Sequence, residues 1–80
     1  MKSEAYVLIN TKHGKVEDVC AKLQPLEIVE LIFTLFGQYD IVIKLQGSSI
    51  EELENFVASN LRTDESIERT ETIVVADVPS

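Results

Sequence analysis

The chain has no tryptophan, one cysteine, one histidine and one methionine, and its seven basic residues face 14 acidic ones. Each scarcity removes a class of explanation. Cys20 has no partner for an internal disulfide, and one thiol with one imidazole, His13, cannot supply the four ligands of a structural zinc. The basic residues (Lys2, Lys12, Lys15, Lys22, Lys44, Arg62 and Arg69) are scattered, and the formal charge is -7. Phosphate binding rests on clustered Lys and Arg, so neither nucleic acid nor an anionic membrane is an expected partner. No apolar run approaches the ~18 residues of a membrane span, and no secretory signal pattern opens the chain. The default expectation is a soluble cytoplasmic protein. Metal-ligand spacings, phosphate-cradling glycine loops and nucleophile motifs are missing too, so no cofactor and no metal are expected.

What remains is 80 residues and 9.0 kDa, 45% hydrophobic and 26% charged, read as one small globular domain over residues 1–80. A core of that size is thin, and the usual staples are lacking, which makes association with another copy the leading source of extra stability.

Six periodic segments follow one another. Ala5 to Thr11 is rich in β-formers and stops before His13-Gly14, which marks a first strand. Val16, Val19, Cys20 and Leu23 recur at i, i+3, i+4 and i+7, which predicts an amphipathic helix from Lys15 to Gln24 closed by Pro25. Leu26 to Phe36 is too β-branched and aromatic for a surface helix and reads as a second strand. Gly37-Gln38 fits the two-residue loop of a type II′ hairpin into a third strand, Tyr39 to Gln46. Ser49-Ile50-Glu51-Glu52 is a capping box opening a helix to about Leu61, with Ile50, Leu53, Phe56, Val57 and Leu61 as its apolar stripe. A polar loop from Arg62 to Ser66 leads towards a fourth strand, Arg69 to Val78, and a Pro79-Ser80 tail. The order β-α-β-β-α-β is the ferredoxin-like α+β pattern, with both helices on one face of a four-stranded antiparallel sheet and the first and third strands central.

The strands are greasier than a sheet with one wet face requires. Val29, Leu31, Phe33 and Leu35 read as one apolar face of the second strand, opposite Ile28, Glu30, Ile32, Thr34 and Phe36. In the third strand Ile41, Ile43 and Leu45 oppose Asp40, Val42 and Lys44. Two short helices cover one side only, leaving residues such as Leu8, Ile32 and Val42 on the other. A four-strand face has a footprint of roughly 400 Å², the size of a large exposed patch on a monomer, so a homodimer pressed sheet to sheet is expected.

Catalytic groups are poorly supplied. His13 sits beside a turn glycine, Cys20 lies on an apolar helix stripe, and Glu51, Glu52 and Glu54 suit a helix start and its solvated face. The stacking aromatics among basic residues that mark RNA-binding relatives of this fold are absent. Two local features remain. Gly37-Gln38-Tyr39-Asp40 sets turn amides beside a carboxylate, and Thr70-Glu71-Thr72 puts two hydroxyls on one strand face. An amino-acid zwitterion needs an acceptor for its ammonium, which Asp40 offers, and donors for its carboxylate, which turn amides and threonines offer. Each feature also has an ordinary structural reading: threonine is common in strands, and aspartate beside a turn often bonds its own backbone.

At these residues the chain resembles the effector domain of the Lrp/AsnC, or feast/famine, transcription regulators, also called the RAM domain. The likeness runs from Ile28 to Val75 through Gly37-x-Tyr39-Asp40, Ile41-Val42-Ile43, Glu52-Leu53, Phe56-Val57 and Thr70-x-Thr72. It implies a sheet-to-sheet dimer, further association into octamers or decamers, and small amino acids bound near contacts between dimers. It also implies ligand-binding roles for Gly37, Gln38, Tyr39, Asp40, Thr70 and Thr72. Family regulators carry an N-terminal helix-turn-helix, whereas only Met1 to Glu4 precede the first strand here. The expectation is therefore a stand-alone effector module without direct DNA contact, able to modulate full-length regulators by co-assembly. Two rival readings stay open: a small dimeric α/β-barrel enzyme using Asp40 or Lys44, and a purely structural oligomerisation domain.

Overall fold

The computed structural model describes residues 2–76, so the expected end of the last strand at Val78 and the Pro79-Ser80 tail lie outside the described residues. Strand β1 (Ser3–Thr11) is followed by helix α1 (Val16–Leu23), strands β2 (Val29–Thr34) and β3 (Ile41–Gly47), helix α2 (Ile50–Phe56) and strand β4 (Ile67–Val74). A π-helical turn, Val57–Leu61, extends α2. The sheet is antiparallel in the order β2-β3-β1-β4, so β1 and β3 are central as the sequence order predicts, and the fold is ferredoxin-like α+β.

The core lies between this sheet and the helices. Ala5, Val7 and Ile9 of β1, with Ile41, Ile43 and Leu45 of β3, are fully buried against Val19 and Leu23 of α1 and Leu53, Val57 and Leu61 beyond. Helix α1 ends where Gln24 N–H reaches the Cys20 carbonyl (2.9 Å), because Pro25 has no N–H to continue the ladder. The α2 cap forms as a capping box should at one end: Ser49 Oγ accepts the Glu52 N–H at 3.2 Å. Its return arm reaches one residue further than expected, the Glu52 carboxylate accepting from Ser48 N–H at 2.6 Å.

Two readings of β2 need correction. Val29 pairs with Leu45 but Leu31 pairs with Lys44, so Glu30 is an extra residue, a β-bulge. The bulge inverts the alternation. Val29 is buried and Ile32, paired with Ile43, packs on the core, while Leu31 and Phe33 turn to the helix-free face. The four-residue face Val29, Leu31, Phe33, Leu35 is therefore split, and Ile32 belongs to the core. The hairpin also closes one pair early. Leu35 N–H donates to the Asp40 carbonyl (2.8 Å), leaving a four-residue loop, 36–39, whose Gly37 has φ +131°. That is far from the roughly +60° of a type II′ turn. The register is the one expected, but Tyr39 and Asp40 are drawn towards β4 and β1, as described next, and away from Phe36.

Cross-strand pairs define two rows on the helix-free face. One runs Leu31–Lys44–Tyr6–Ile73 and the other Phe33–Val42–Leu8–Glu71. Phe33 is 58% exposed and Ile73 48% exposed. Lys44 lies on this face, with Nζ 3.2 Å from Glu4 and 3.6 Å from Glu30.

Candidate functional site

The loop 36–40 is held at the end of the sheet by two side chains pulling in different directions. Asp40 Oδ2 accepts the Thr11 N–H at 2.8 Å and lies 3.4 Å from its hydroxyl, tying the β3 entry to the last residue of β1. Tyr39 lies over the helix-free face, where its hydroxyl donates to Glu71 Oε1 at 2.8 Å. The Arg69 guanidinium sits 5.4 Å from the centre of the Tyr39 ring, within cation–π range. The hydrogen bond to the Glu71 carboxylate holds the Tyr39 phenol above its ordinary pKa, with Arg69 acting weakly the other way. Gly37 and Gln38 are exposed at the tip beside a fully exposed Phe36.

Thr70 and Thr72 occupy the other side of β4. Thr70 pairs with Ile9 and Thr72 with Val7, both fully buried, so the two half-buried threonines share the helix side. Arg69 and Glu71 alternate with them onto the helix-free face. Within one chain, then, Tyr39 meets β4 on one face while the two threonine hydroxyls lie on the other. The threonines border two shallow depressions between β4 and the turn that ends α2. One, of about 260 Å³, is lined by Glu54, Val57, Arg62, Thr72 and Val74. Its neighbour, of about 280 Å³, includes Arg62, Ile67 and Thr70.

The other reactive groups are placed without convergence. His13 lies in an exposed turn with Gly14, whose φ is +77°. Burial, with help from Glu17, pushes the Cys20 thiol up, which suppresses thiolate. The hydrogen bond to Glu4 holds the Lys44 ammonium above its usual range against partial burial, with Glu30 adding to it. Lys44 also lies on the helix-free face, outside the space between sheet and helices. Among the described residues, no three His, Cys, Asp or Glu side chains group to hold a metal ion, and no helix is long and apolar enough to cross a membrane. The sequence reading passed over Arg62, Arg69 and Glu71. Strand alternation around Thr70-x-Thr72 already puts Arg69 and Glu71 on the opposite face, whereas nothing in the local pattern announces the placement of Arg62.

The family model for the Lrp/AsnC ligand binding domain matches residues 4–80. The chain is 39% identical over 75 residues to the HTH-type transcriptional regulator FL11 of Pyrococcus furiosus, across 92% of this chain and 48% of that protein. It thus spans about half the length of that curated relative. The crystal structure of FFRP-DM1 superposes with a TM-score of 0.89 at 26% identity, covering 92% of this chain and 99% of that one. The structure of Escherichia coli AsnC superposes with a TM-score of 0.86 at 28% identity, covering 98% of this chain and 53% of that one. A family match over nearly the whole sequence, on the fold just described, makes this chain a member of the Lrp/AsnC ligand-binding (effector) domain family.

Proposed function

We propose that this chain is a non-enzymatic cytoplasmic module that dimerises through its helix-free sheet face and binds an amino acid at a seam between dimers. Gly37, Gln38, Tyr39 and Asp40 of one copy supply turn amides and a carboxylate, and Thr70 and Thr72 of another supply hydroxyls. The observation that carries this reading is the separation of Tyr39 from the two threonines. Tyr39 contacts β4 on the helix-free face, and Thr70 and Thr72 present their side chains on the helix side. A pocket using both is completed by a neighbouring copy. Ligand then favours whichever assembly completes it, by differential affinity for the two states. Co-assembly with full-length regulators uses the same sheet face, since the fold is common to both.

The enzymatic alternative gains no support from Lys44. Its proton is held more tightly by Glu4 and Glu30, the reverse of what a general base requires. The test is isothermal titration with each common amino acid, with and without a full-length regulator of the family. Binding heat for one amino acid and a mixed complex on size exclusion are the expected results. No heat in either arm, with no mixed complex, removes both the sensing and the co-assembly proposals.

A further inference from the structure

The turn that ends α2 is wider than an α-helical turn, and this decides where Arg62 goes. Arg62 N–H donates to the Val57 carbonyl at 3.0 Å, an i→i−5 bond, where an α-helix would close to residue 58. The extra residue brings Arg62 one wide turn beneath Val57, on the same face, and both line the depression that contains Thr72. In an uninterrupted α-helix, at about 100° per residue, Arg62 would project some 140° away from Val57; here it is exposed but borders that depression. Local side-chain bonds accompany the widened turn: Asn60 Nδ2 donates to the Phe56 carbonyl (3.2 Å) and Thr63 Oγ1 to the Ser59 carbonyl (2.8 Å). Short π-turns of this kind recur at functional sites in helices.

Arg62 lines both depressions, the one that contains Thr72 and the one that contains Thr70. Among the described residues it pairs with no carboxylate; the ion pairs there involve Lys15, Lys22 and Lys44. Arg69 lines the second depression, but its guanidinium lies over the Tyr39 ring. The two depressions together hold one guanidinium fork with no carboxylate partner among the described residues, two hydroxyls, and the Glu54 and Glu68 carboxylates. In a chain where acids outnumber bases two to one, a guanidinium without a carboxylate partner, lining the same depressions as two hydroxyls, has the donors a carboxylate ligand needs.

We infer that Arg62 recognises the α-carboxylate of the bound amino acid, with Thr70 and Thr72 completing its hydrogen bonds and the ammonium left to Asp40 of the neighbouring copy. This assignment rests on the amino-acid reading above and adds a specificity-determining residue to it.

Calorimetry on the intact chain tests it, using the common amino acids one at a time and then the carboxamide of whichever binds. The amide keeps the ammonium and side chain but lacks the anionic carboxylate. The expected result is binding at least ten-fold weaker for the amide than for the acid. Arg62→Gln then weakens the acid at least ten-fold and leaves the amide within two-fold, while Arg62→Lys falls between. A thermal melt checks that each variant is folded, and the acid-against-amide comparison on the unaltered chain needs no variant. If the acid binds but the amide binds equally, or if Arg62→Gln leaves the acid unchanged, the Arg62 assignment is overturned and the amino-acid reading survives. If no amino acid binds the unaltered chain, both are overturned.

Discussion

Tyr39 shows how one side chain joins parts of the chain that lie far apart in sequence. Its hydroxyl spans β1 to reach Glu71, 32 residues on, and Arg69 covers its ring. The phenol is held above its ordinary pKa, chiefly by the hydrogen bond to Glu71. A raised folded value means that the protonated phenol is the form the fold prefers. Its contribution is present below the ordinary phenol pKa of about 10 and is lost as pH rises through the folded value. An ultraviolet titration of Tyr6→Phe, which leaves Tyr39 as the sole phenol, should show ionisation above that ordinary value. Adding Glu71→Gln should move the transition down; a transition that stays put removes the hydrogen bond from the account. The sequence spacing of Thr70-x-Thr72 shows that the two side chains share a face, but not which face. That choice comes from the pairing of Thr70 with Ile9 and Thr72 with Val7, a property of the neighbouring strand. The contact from Tyr39 to Glu71 has no local signature at all.

Elements whose cause is local were legible, and those shaped by a neighbour were not. The capping box at Ser49 is a short-range pattern, and it forms. Ser49→Ala removes the acceptor for the Glu52 N–H and should cost about 1 kcal/mol in urea unfolding at unchanged slope. A loss below a few tenths would mean that Ser49 caps nothing of consequence. The bulge at Glu30 has no signature in the alternating pattern of β2, and one extra residue reverses every inward and outward assignment after it. The π-turn was equally hidden, since Val57 and Leu61 satisfy an α-helical period as well. Helix α1 and the loop before β4 are linked by Lys22, whose Nζ lies 2.6 Å from Asp64 Oδ2. That bond, followed by the Ser66 N–H, holds the Asp64 carboxyl below its usual value. A depressed carboxylate pKa adds stability that is present above the unfolded value, near 3.9, and lost as pH falls through the folded one. Melting temperature should therefore decline below about pH 4, and Asp64→Asn should flatten part of that decline. An acid limb identical in the variant would assign the loss to other carboxylates.

At the scale of the whole molecule, the helix-free face decides what the domain can become. Its two central rows hold six uncharged residues (Leu31, Tyr6, Ile73, Phe33, Val42 and Leu8) against two charged ones. Of the charged pair, Lys44 is neutralised by Glu4 and Glu30, and Glu71 is engaged by Tyr39 with Arg69 beside it. Lys44 is thus paired within the chain and Glu71 is hydrogen-bonded within it, while the exposed Phe33 and Ile73 stand at the two edge strands. A second copy laid face to face would cover the apolar rows without stranding either ion. Two substitutions separate this from a face that is merely greasy. Phe33→Glu and Ile73→Glu place an unpaired carboxylate where the partner sheet would rest. Burying one there costs several kcal/mol, on the order of a hundred-fold or more in the dissociation constant. Because both positions are surface positions within the single chain, circular dichroism and the unfolding slope should be preserved. Sedimentation velocity at micromolar concentration should give a dimer or larger species for the unaltered chain and a monomer for either variant. A folded monomer for the unaltered chain would instead mean that six apolar and aromatic residues tolerate water on one face. The two halves of the proposed amino-acid site would then have no neighbour to bring them together.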